Sequence, residues 1–505
     1  MSSSAFADPS PEPRGSAAGE HTSAIASREQ MRWFTTLWVM AAVFHYTDGH
    51  PRSMLPMLLL GLPALLFPSS TLALGFFVAA VVVRSAMDLP AAANHTVLNL
   101  MVAFALGAAA LLVLSARNRL DSDRPFGERW LVAARTPIGL TVLVVYLFTA
   151  FHKLNTPFFD PVDSCAGDML SALAAFNGLD GVAPGPAVVQ MAAVGTVMVE
   201  LALVGLLAVP RLRRWGLALG VGFHSILAFA SFYDFATVVF AIYLLIVPSG
   251  AFAALAPRFD ALRRVALVGF AVHVAISVWV GPAGSSSRVE GVPLHTMLVV
   301  TWAIAVLPLM AFVVWAGLRN SAGFGHWPGW SLRPVVLLVT PAMALVNGAA
   351  PYLGLKTVAS YSMFSNVHTE PGHVNHLAPG VTALRVFEYE RELVTLTKVE
   401  LPDVEIKAAE GRGIEGARLR GRWARWILEE PPVTIPWIEL RRVVQLWEEA
   451  GLSGVRVEYV RDGVPQVMQD AITDPELAAP MPWWQRHLLA FRAVDSAEGT
   501  DICRW

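Results

Sequence analysis

The chain has 505 residues, of which 55% are hydrophobic and only 15% are charged. Soluble domains carry roughly a quarter charged residues, and the mean hydropathy here is +0.52. That balance excludes a soluble globular protein, a disordered chain and a collagen-like fibre. The formal net charge of -2 leaves no basic excess for nucleic acid.

Residues 1–30 are rich in Ser, Ala, Pro and Glu and contain no apolar run, so they are expected to form a disordered cytoplasmic tail. Apolar runs then follow near 33–49, 54–68, 71–88, 97–115, 137–153, 187–209, 214–231, 234–248, 262–281, 293–317 and 333–350. A span needs roughly 17–25 apolar residues. The runs at 97–115, 187–209 and 293–317 are the clearest, whereas Pro63 and Pro68 interrupt the pair 54–68 and 71–88, which could be a hairpin that only partly crosses. From about 355 the character changes. Alternation in Leu393–Leu401 and Val455–Val460 predicts strands, and the spacing in Ile438–Ala450 predicts a helix. The expected fold is an all-α polytopic membrane bundle of about 10–11 transmembrane helices over 31–350. A small α+β extramembrane domain is expected over 351–505.

Lys and Arg favour the cytoplasmic side of a membrane. The loop 116–136 carries Arg117, Arg119, Arg124, Arg129 and Arg135, the turn 210–214 carries Arg211, Arg213 and Arg214, and the loop 256–264 carries Arg258, Arg263 and Arg264. Two spans separate each from the next, so all three fall on one side. The intervening 154–186 carries Asp160, Asp163, Asp168 and Asp180 and no arginine. The expected placement is the cell membrane, multi-pass, with a cytoplasmic N-terminus and an extracytoplasmic C-terminal domain. The chain has two cysteines, Cys165 and Cys503. One bridge is possible, and only if both lie on the oxidising side.

Ionisable groups inside spans are expensive and usually face the bundle interior. The candidates are His45, Asp48, Arg84, Asp88, His152, Lys153, Glu200, His224, Asp234 and His273. Arg84 and Asp88, four apart, read as a local ion pair. His45 and Asp48 read either as a surface pair or as part of an outward-facing site. Lys153 is the sharpest of the set, because the chain has only four lysines and otherwise uses arginine. A desolvated lysine can lose its proton and act as base or nucleophile, which arginine cannot. The plainer alternative is a lysine snorkelling at a helix end. Tyr146 lies seven residues earlier on the same helix face. Glu200 sits mid-run and must be protonated, paired or wet. His224 is either a satisfied core residue or part of a proton relay. Tyr233 and Asp234 follow at the outer end, so Lys153, His224 and Asp234 could converge in the outer half of the bundle. His368, Glu370, His373 and His376 cluster after the last span, a weak metal candidate without a recognised motif.

The stretch YLFTAFHKL at Tyr146–Leu154 resembles the HTTM domain, the multi-span domain shared with vitamin K-dependent gamma-carboxylase. Glu200 followed by Phe223–His224 within GVGFHSILAFASFYDF is similar to the same family, and PYLGLKTVASYSMFSNVHTEPGHVNHL after the last span resembles bacterial members with an outward extension. The resemblance covers roughly 30–350 plus that segment. It implies that Lys153 is the catalytic base and that His224 is a polar residue of its pocket. Position at the outer end of the bundle adds His152 to the catalytic set and Tyr146, Glu200, Tyr233 and Asp234 as substrate-binding residues. In the carboxylase the matching lysine deprotonates reduced vitamin K. Oxygen then turns the quinol into a stronger base that removes a γ-proton from a protein glutamate, and carbon dioxide traps the carbanion. The implied cofactor is reduced vitamin K or menaquinol, and the implied activity a carboxylase-like lyase. The chain departs from the carboxylase at His152, where the family has a second lysine, and at Asn155–Asp160, where it has tryptophan and glycine. The outer domain is also short for docking a propeptide. These departures argue against protein carboxylation and leave quinol chemistry standing.

Two other readings remain open. A non-catalytic transporter, immunity factor or sensor would use Glu200, His224 and Asp234 as a proton or ligand path. A scaffold would bind a protein or peptide partner through the outer domain. The expected partners are the lipid bilayer and a lipid-soluble quinol, with no nucleic acid.

Overall fold

The computed structural model describes residues 17–47, 51–90, 92–115, 124–179, 181–280, 288–289, 292–319, 330, 334–400, 432–449 and 451–494. The chain is mostly helical, with a small antiparallel sheet near its C-terminus. In chain order the bundle comprises α1 (Ala17–Phe44), α2 (Pro51–Leu66), α3 (Thr71–Asp88), α4 (Asn94–Ser115), α5 (Phe126–His152), the single turn α6 (Thr156–Phe159), α7 (Cys165–Phe176), α8 (Pro186–Ala208), α9 (Arg213–Leu227), α10 (Tyr233–Ile246), α11 (Ser249–Val280), α12 (Leu294–Leu318) and α13 (Val339–Ala349). Among the described residues, seven helical stretches are long and apolar enough to cross a membrane: Thr71–Asp88, Asn94–Ser115, Phe126–His152, Pro186–Ala208, Arg213–Ile246, Ala256–Val280 and Leu294–Leu318. Large apolar side chains stand exposed along them, including Leu72, Phe76, Leu111, Met191, Met198 and Trp279. Such faces need lipid or a partner to cover them. The apolar helices suggest a membrane protein.

One of the seven stretches is two helices. Ala230 and Ser231 leave helical geometry between α9 and α10, and Ser231 has φ 82°, a left-handed conformation that serine rarely adopts. The chain folds back there. A Cβ on Gly220 would lie 2.0 Å from the Tyr243 hydroxyl, although 23 residues of straight helix would separate them by about 35 Å. The expected runs 214–231 and 234–248 are therefore separate, antiparallel elements.

Residues 17–30, expected as part of a disordered tail, instead begin α1. The reason is a long-range contact: buried Gln30 donates to the carbonyls of Leu244, Leu245 and Val247 at 2.9, 3.2 and 3.0 Å. This ties α1 to the C-terminal end of α10, whose last carbonyls have no helical partner. Arg135 donates to Leu245 O at 2.8 Å and to Gln30 Oε1 at 3.1 Å. It therefore belongs to α5 and not to a loop. Arg32 pairs with Asp260 at 2.8 Å, and Arg213 lies over the Trp330 ring at 3.9 Å. One end of the bundle thus gathers arginines. The opposite end gathers the C-termini of α1 and α5 and the N-termini of α4 and α10.

After α13 the segment 351–377 folds over that second end. Beyond it lie four strands, β3 (Leu393–Glu400), β4 (Val433–Pro436), β5 (Arg456–Arg461) and β6 (Val464–Met468), following the short ribbon β1 (Arg288–Val289) and β2 (Val292–Pro293). The sheet order is β4-β3-β5-β6, all antiparallel, with Leu396 opposite Val433 on one side and Tyr459 on the other. Val394, Leu396, Val457 and Tyr459 are buried with Leu440, Val443, Val444 and Trp447 of α14 (Trp437–Glu449). A short helix, α15 (Trp483–Leu488), follows.

Candidate functional site

Three polar constellations lie at the end of the bundle opposite the arginines. The first is built on the last turns of α5. Lys153 caps that helix, and its ammonium turns back into the bundle rather than out to solvent. It donates to Thr149 O at 3.1 Å and to Glu200 Oε1 and Oε2 at 3.0 and 3.1 Å. Both side chains are less than one-tenth exposed, at 7% and 8%. This disposes of the snorkelling alternative. It also resolves how Glu200 is tolerated in an apolar run: a buried carboxylate needs a partner, and it has one. The second constellation sits deeper on the same face of α5. The Tyr146 hydroxyl is 2.6 Å from His224 Nε2 and 2.7 Å from the Tyr243 hydroxyl. His224 Nδ1 is buried without a hydrogen-bond partner.

The third joins helix ends that are distant in sequence. His45 follows α1, His95 lies in the first turn of α4, and Asp234 in the first turn of α10. His45 Nδ1 and His95 Nε2 lie 3.0 and 2.9 Å from the same oxygen, Asp234 Oδ2, and 2.6 Å from each other. Of the described residues these three form the group whose ligand atoms all lie within 4.8 Å. Phe235 separates them from the second constellation, its ring against both His224 (5.1 Å) and His95 (6.2 Å). Lys153, His224 and Asp234 thus lie at one end of the bundle, held by different partners: Glu200, Tyr146 and the two histidines.

His152 and Tyr233 serve other contacts. His152 is fully buried, with Nδ1 2.8 Å from the Tyr352 hydroxyl and Nε2 3.1 Å from Ser360 O. It anchors the segment 351–377 to α5. The Tyr233 hydroxyl meets Thr47 Oγ1 at 3.0 Å, and His273 Nε2 reaches that oxygen at 3.1 Å. Arg84 and Asp88 form the local ion pair, at 3.0 Å, with the Tyr46 hydroxyl on the same carboxylate at 2.7 Å. Asp48 lies outside the described residues.

The His368, His373 and His376 loop takes a different form from a metal centre. His376 accepts from Ala378 N at Nδ1 (3.0 Å) and donates through Nε2 to Phe151 O (2.9 Å). Both its nitrogens are therefore spent. His368 lies 3.5 Å from Glu370, which is fully buried near Glu390. Burial opposes ionisation of Glu370, but His368 and two backbone N–H groups hold its pKa below the usual value. Burial, then the neighbouring Glu370, pushes Glu390 up to about 9. One charge is shared between two carboxyls, as adjacent acids require.

The segment 351–377 covers this end of the bundle. Tyr361 N donates to Asn94 Oδ1 (2.6 Å), Asn155 Nδ2 donates to Ser365 O, Cys165 N donates to Asn366 Oδ1 (2.9 Å), and Phe364 packs against Phe232. Ala359, Tyr361, Phe364 and Asn366 all have positive φ, from 51° to 62°. Such conformations persist only where the surroundings enforce them. Cys165, at the start of α7, is disulfide-bonded; Cys503 lies outside the described residues.

Sequence reasoning passed over His95, Tyr243 and Lys356. His95 precedes the apolar run that marks α4, and Tyr243 looks like one more aromatic in an apolar helix. Lys356 is buried in the covering segment, and burial lowers its amine to about 8.

Comparison with protein-family models, with curated proteins and with solved structures finds no match.

Proposed function

We propose that the protein is a membrane enzyme that takes a proton from a lipid-soluble acid of the quinol type at the Lys153–Glu200 pair. The observation that carries the reading is that pair, buried in an apolar bundle beside the Tyr146–His224–Tyr243 chain. On this reading the chain is HTTM-like, related to vitamin K-dependent gamma-carboxylase. It crosses the cell membrane ten or eleven times once the proline-broken, folded-back and shorter helices are added to the long ones.

The residues fit a quinol. The orphaned His224 Nδ1 can donate to or accept from a ligand hydroxyl, according to tautomer. Phe235 and Phe223 pack against that imidazole and supply aromatic surface. A quinol would contribute an acidic hydroxyl delivered through the lipid. Lys153 can accept its proton only after losing one of its own, and Glu200, 3.0 Å away, is placed to take it. Tyr146 fixes the imidazole from the other side. The covering segment excludes water from the pair.

Two observations support the orientation, with the polar end extracytoplasmic and the N-terminus cytoplasmic. Arginines gather at the opposite end. Cys165 is disulfide-bonded, and such bonds persist on the oxidising side. The run of ionisable groups from Glu200 past His224 to Asp234 also suits a proton path, the second reading.

The test is turnover of naphthoquinol-type substrates by the protein in nanodiscs. Lys153→Arg keeps the charge and the ion pair but cannot give up a proton, so oxygen-dependent turnover is expected to fall by about 10²–10⁴-fold. A proton path would tolerate Lys153→Arg and fail with Glu200→Gln.

A further inference from the structure

We infer that His45, His95 and Asp234 form a binding site for one divalent first-row transition-metal ion. The three inner atoms, His45 Nδ1, His95 Nε2 and Asp234 Oδ2, form a closed triangle with sides of 2.6, 2.9 and 3.0 Å. Protons alone satisfy such a triangle poorly. An imidazole nitrogen carries at most one proton, in its ring plane. If both nitrogens aim a proton at the carboxylate, the 2.6 Å side sets N–H against N–H. If neither does, three lone pairs face one another. If one does, that proton serves a single side. A cation over the triangle turns all three lone pairs into ligands.

The outer atoms of His45 and Asp234 fit the same assignment. A metal-bound imidazole holds its other N–H against an acceptor, which fixes the tautomer. His45 Nε2 lies 3.1 Å from Thr96 Oγ1. The other Asp234 oxygen, Oδ1, accepts from Phe235 N at 2.6 Å, which leaves Oδ2 free to ligate. Among the described residues, His95 Nδ1 is buried with no acceptor, so His95 lacks the outer partner that His45 has.

The spacing bears on geometry. For bonds of about 2.1 Å, cis ligands of an octahedron stand about 3.0 Å apart, and ligands of a tetrahedron about 3.4 Å. The triangle matches one face of an octahedron and leaves the other positions open. Two imidazoles and a carboxylate on one face select a borderline metal over calcium or magnesium. Neither His45 nor Asp234 is fully enclosed, with side-chain exposures of 16% and 14%, so an ion can enter. Among the described residues, Asp88 near the site is paired with Arg84 at 3.0 Å. The site shares no residue with the Lys153–Glu200 pair, and Phe235 packs against both His95 and His224.

The test uses the full chain in nanodiscs, free of any histidine tag and stripped with a chelator, titrated with Co(II) alone. The expected result is one Co(II) per chain with a six-coordinate visible spectrum. Asp234→Asn and His45→Ala are each expected to weaken binding at least tenfold. Thr96→Val, which removes only the outer partner, is expected to weaken it by about tenfold. His376→Gln, in the other histidine cluster, is expected to bind as wild type does. Size-exclusion profiles identify any variant that fails to fold, and Thr96→Val then carries the test. Less than stoichiometric binding by wild type overturns the assignment. So does wild-type affinity in folded Asp234→Asn or Thr96→Val, or a loss in His376→Gln equal to theirs.

Discussion

Lys153 places its ammonium inside the bundle, against Glu200 and the Thr149 carbonyl. Removing one partner of such a buried pair strands the other, at a cost of about 3–5 kcal/mol, while replacing both with apolar groups is often neutral. Lys153→Met is therefore expected to lower the thermal midpoint sharply, and Lys153→Met with Glu200→Leu to restore most of it. Equal losses in both variants would show that the pair adds no coupling. Glu390 supplies a pH signature outside the spans. Its carboxyl is pushed from 4.5 up to about 9 by burial and by Glu370, so the folded state holds a proton that the unfolded state has released. The contribution of this group is full below about pH 4.5 and is lost as pH rises to about 9. Hydrogen exchange in the segment 370–390 is expected to speed up over that window in wild type. Glu390→Gln is expected to flatten the trend, and an unchanged slope in that variant would contradict the assignment. The sequence marked Lys153 through the rarity of lysine and Glu200 through its apolar surroundings. Their pairing across 47 residues was not legible, because it depends on how α5 meets α8. His95 was hidden for a similar reason: nothing near it in the chain shows that Asp234, on another helix, comes within 3 Å.

Neighbouring segments of this bundle approach closely at glycines, as small residues permit in membranes. Gly139 faces the Trp330 ring, Gly348 the Phe148 ring and Gly220 the Tyr243 hydroxyl. The last contact links packing to the candidate site, since Tyr243 also holds Tyr146 at 2.7 Å. Gly220→Ala is expected to push the buried Tyr243 ring aside, at about 1–3 kcal/mol. Tyr146 would then lose one of its two partners. A thermal midpoint unchanged from wild type would mean that the helices separate without cost. Long apolar runs made α4, α8 and α12 readable from sequence, and alternation did the same for β3 and β5. The start of α1 was not readable, because Gln30 is held by carbonyls more than 200 residues away. The break at Ser231 was readable as the gap between the runs 214–231 and 234–248, but its positive φ was not, because serine gives no such signal.

Among the described residues, the three polar constellations lie at one end of the apolar bundle, and Arg32, Arg135 and Arg213 lie at the other. In the proposed orientation the end carrying the 154–186 connection faces outward. A cysteine at exposed Leu179 is expected to react with an impermeant maleimide in intact cells. A cysteine at Leu212, exposed at the arginine end, is expected to react only after permeabilisation, and the reverse pattern would invert the orientation. The strained segment 351–377 covers the polar end and makes the outer region part of the site rather than an appendage. The most direct test of the central claim is the anaerobic absorbance of a naphthoquinol bound to the protein in nanodiscs. Wild type is expected to show the ionised quinol, and Lys153→Arg to bind the same ligand in its neutral form. Identical spectra in the two proteins would contradict a basic role for Lys153.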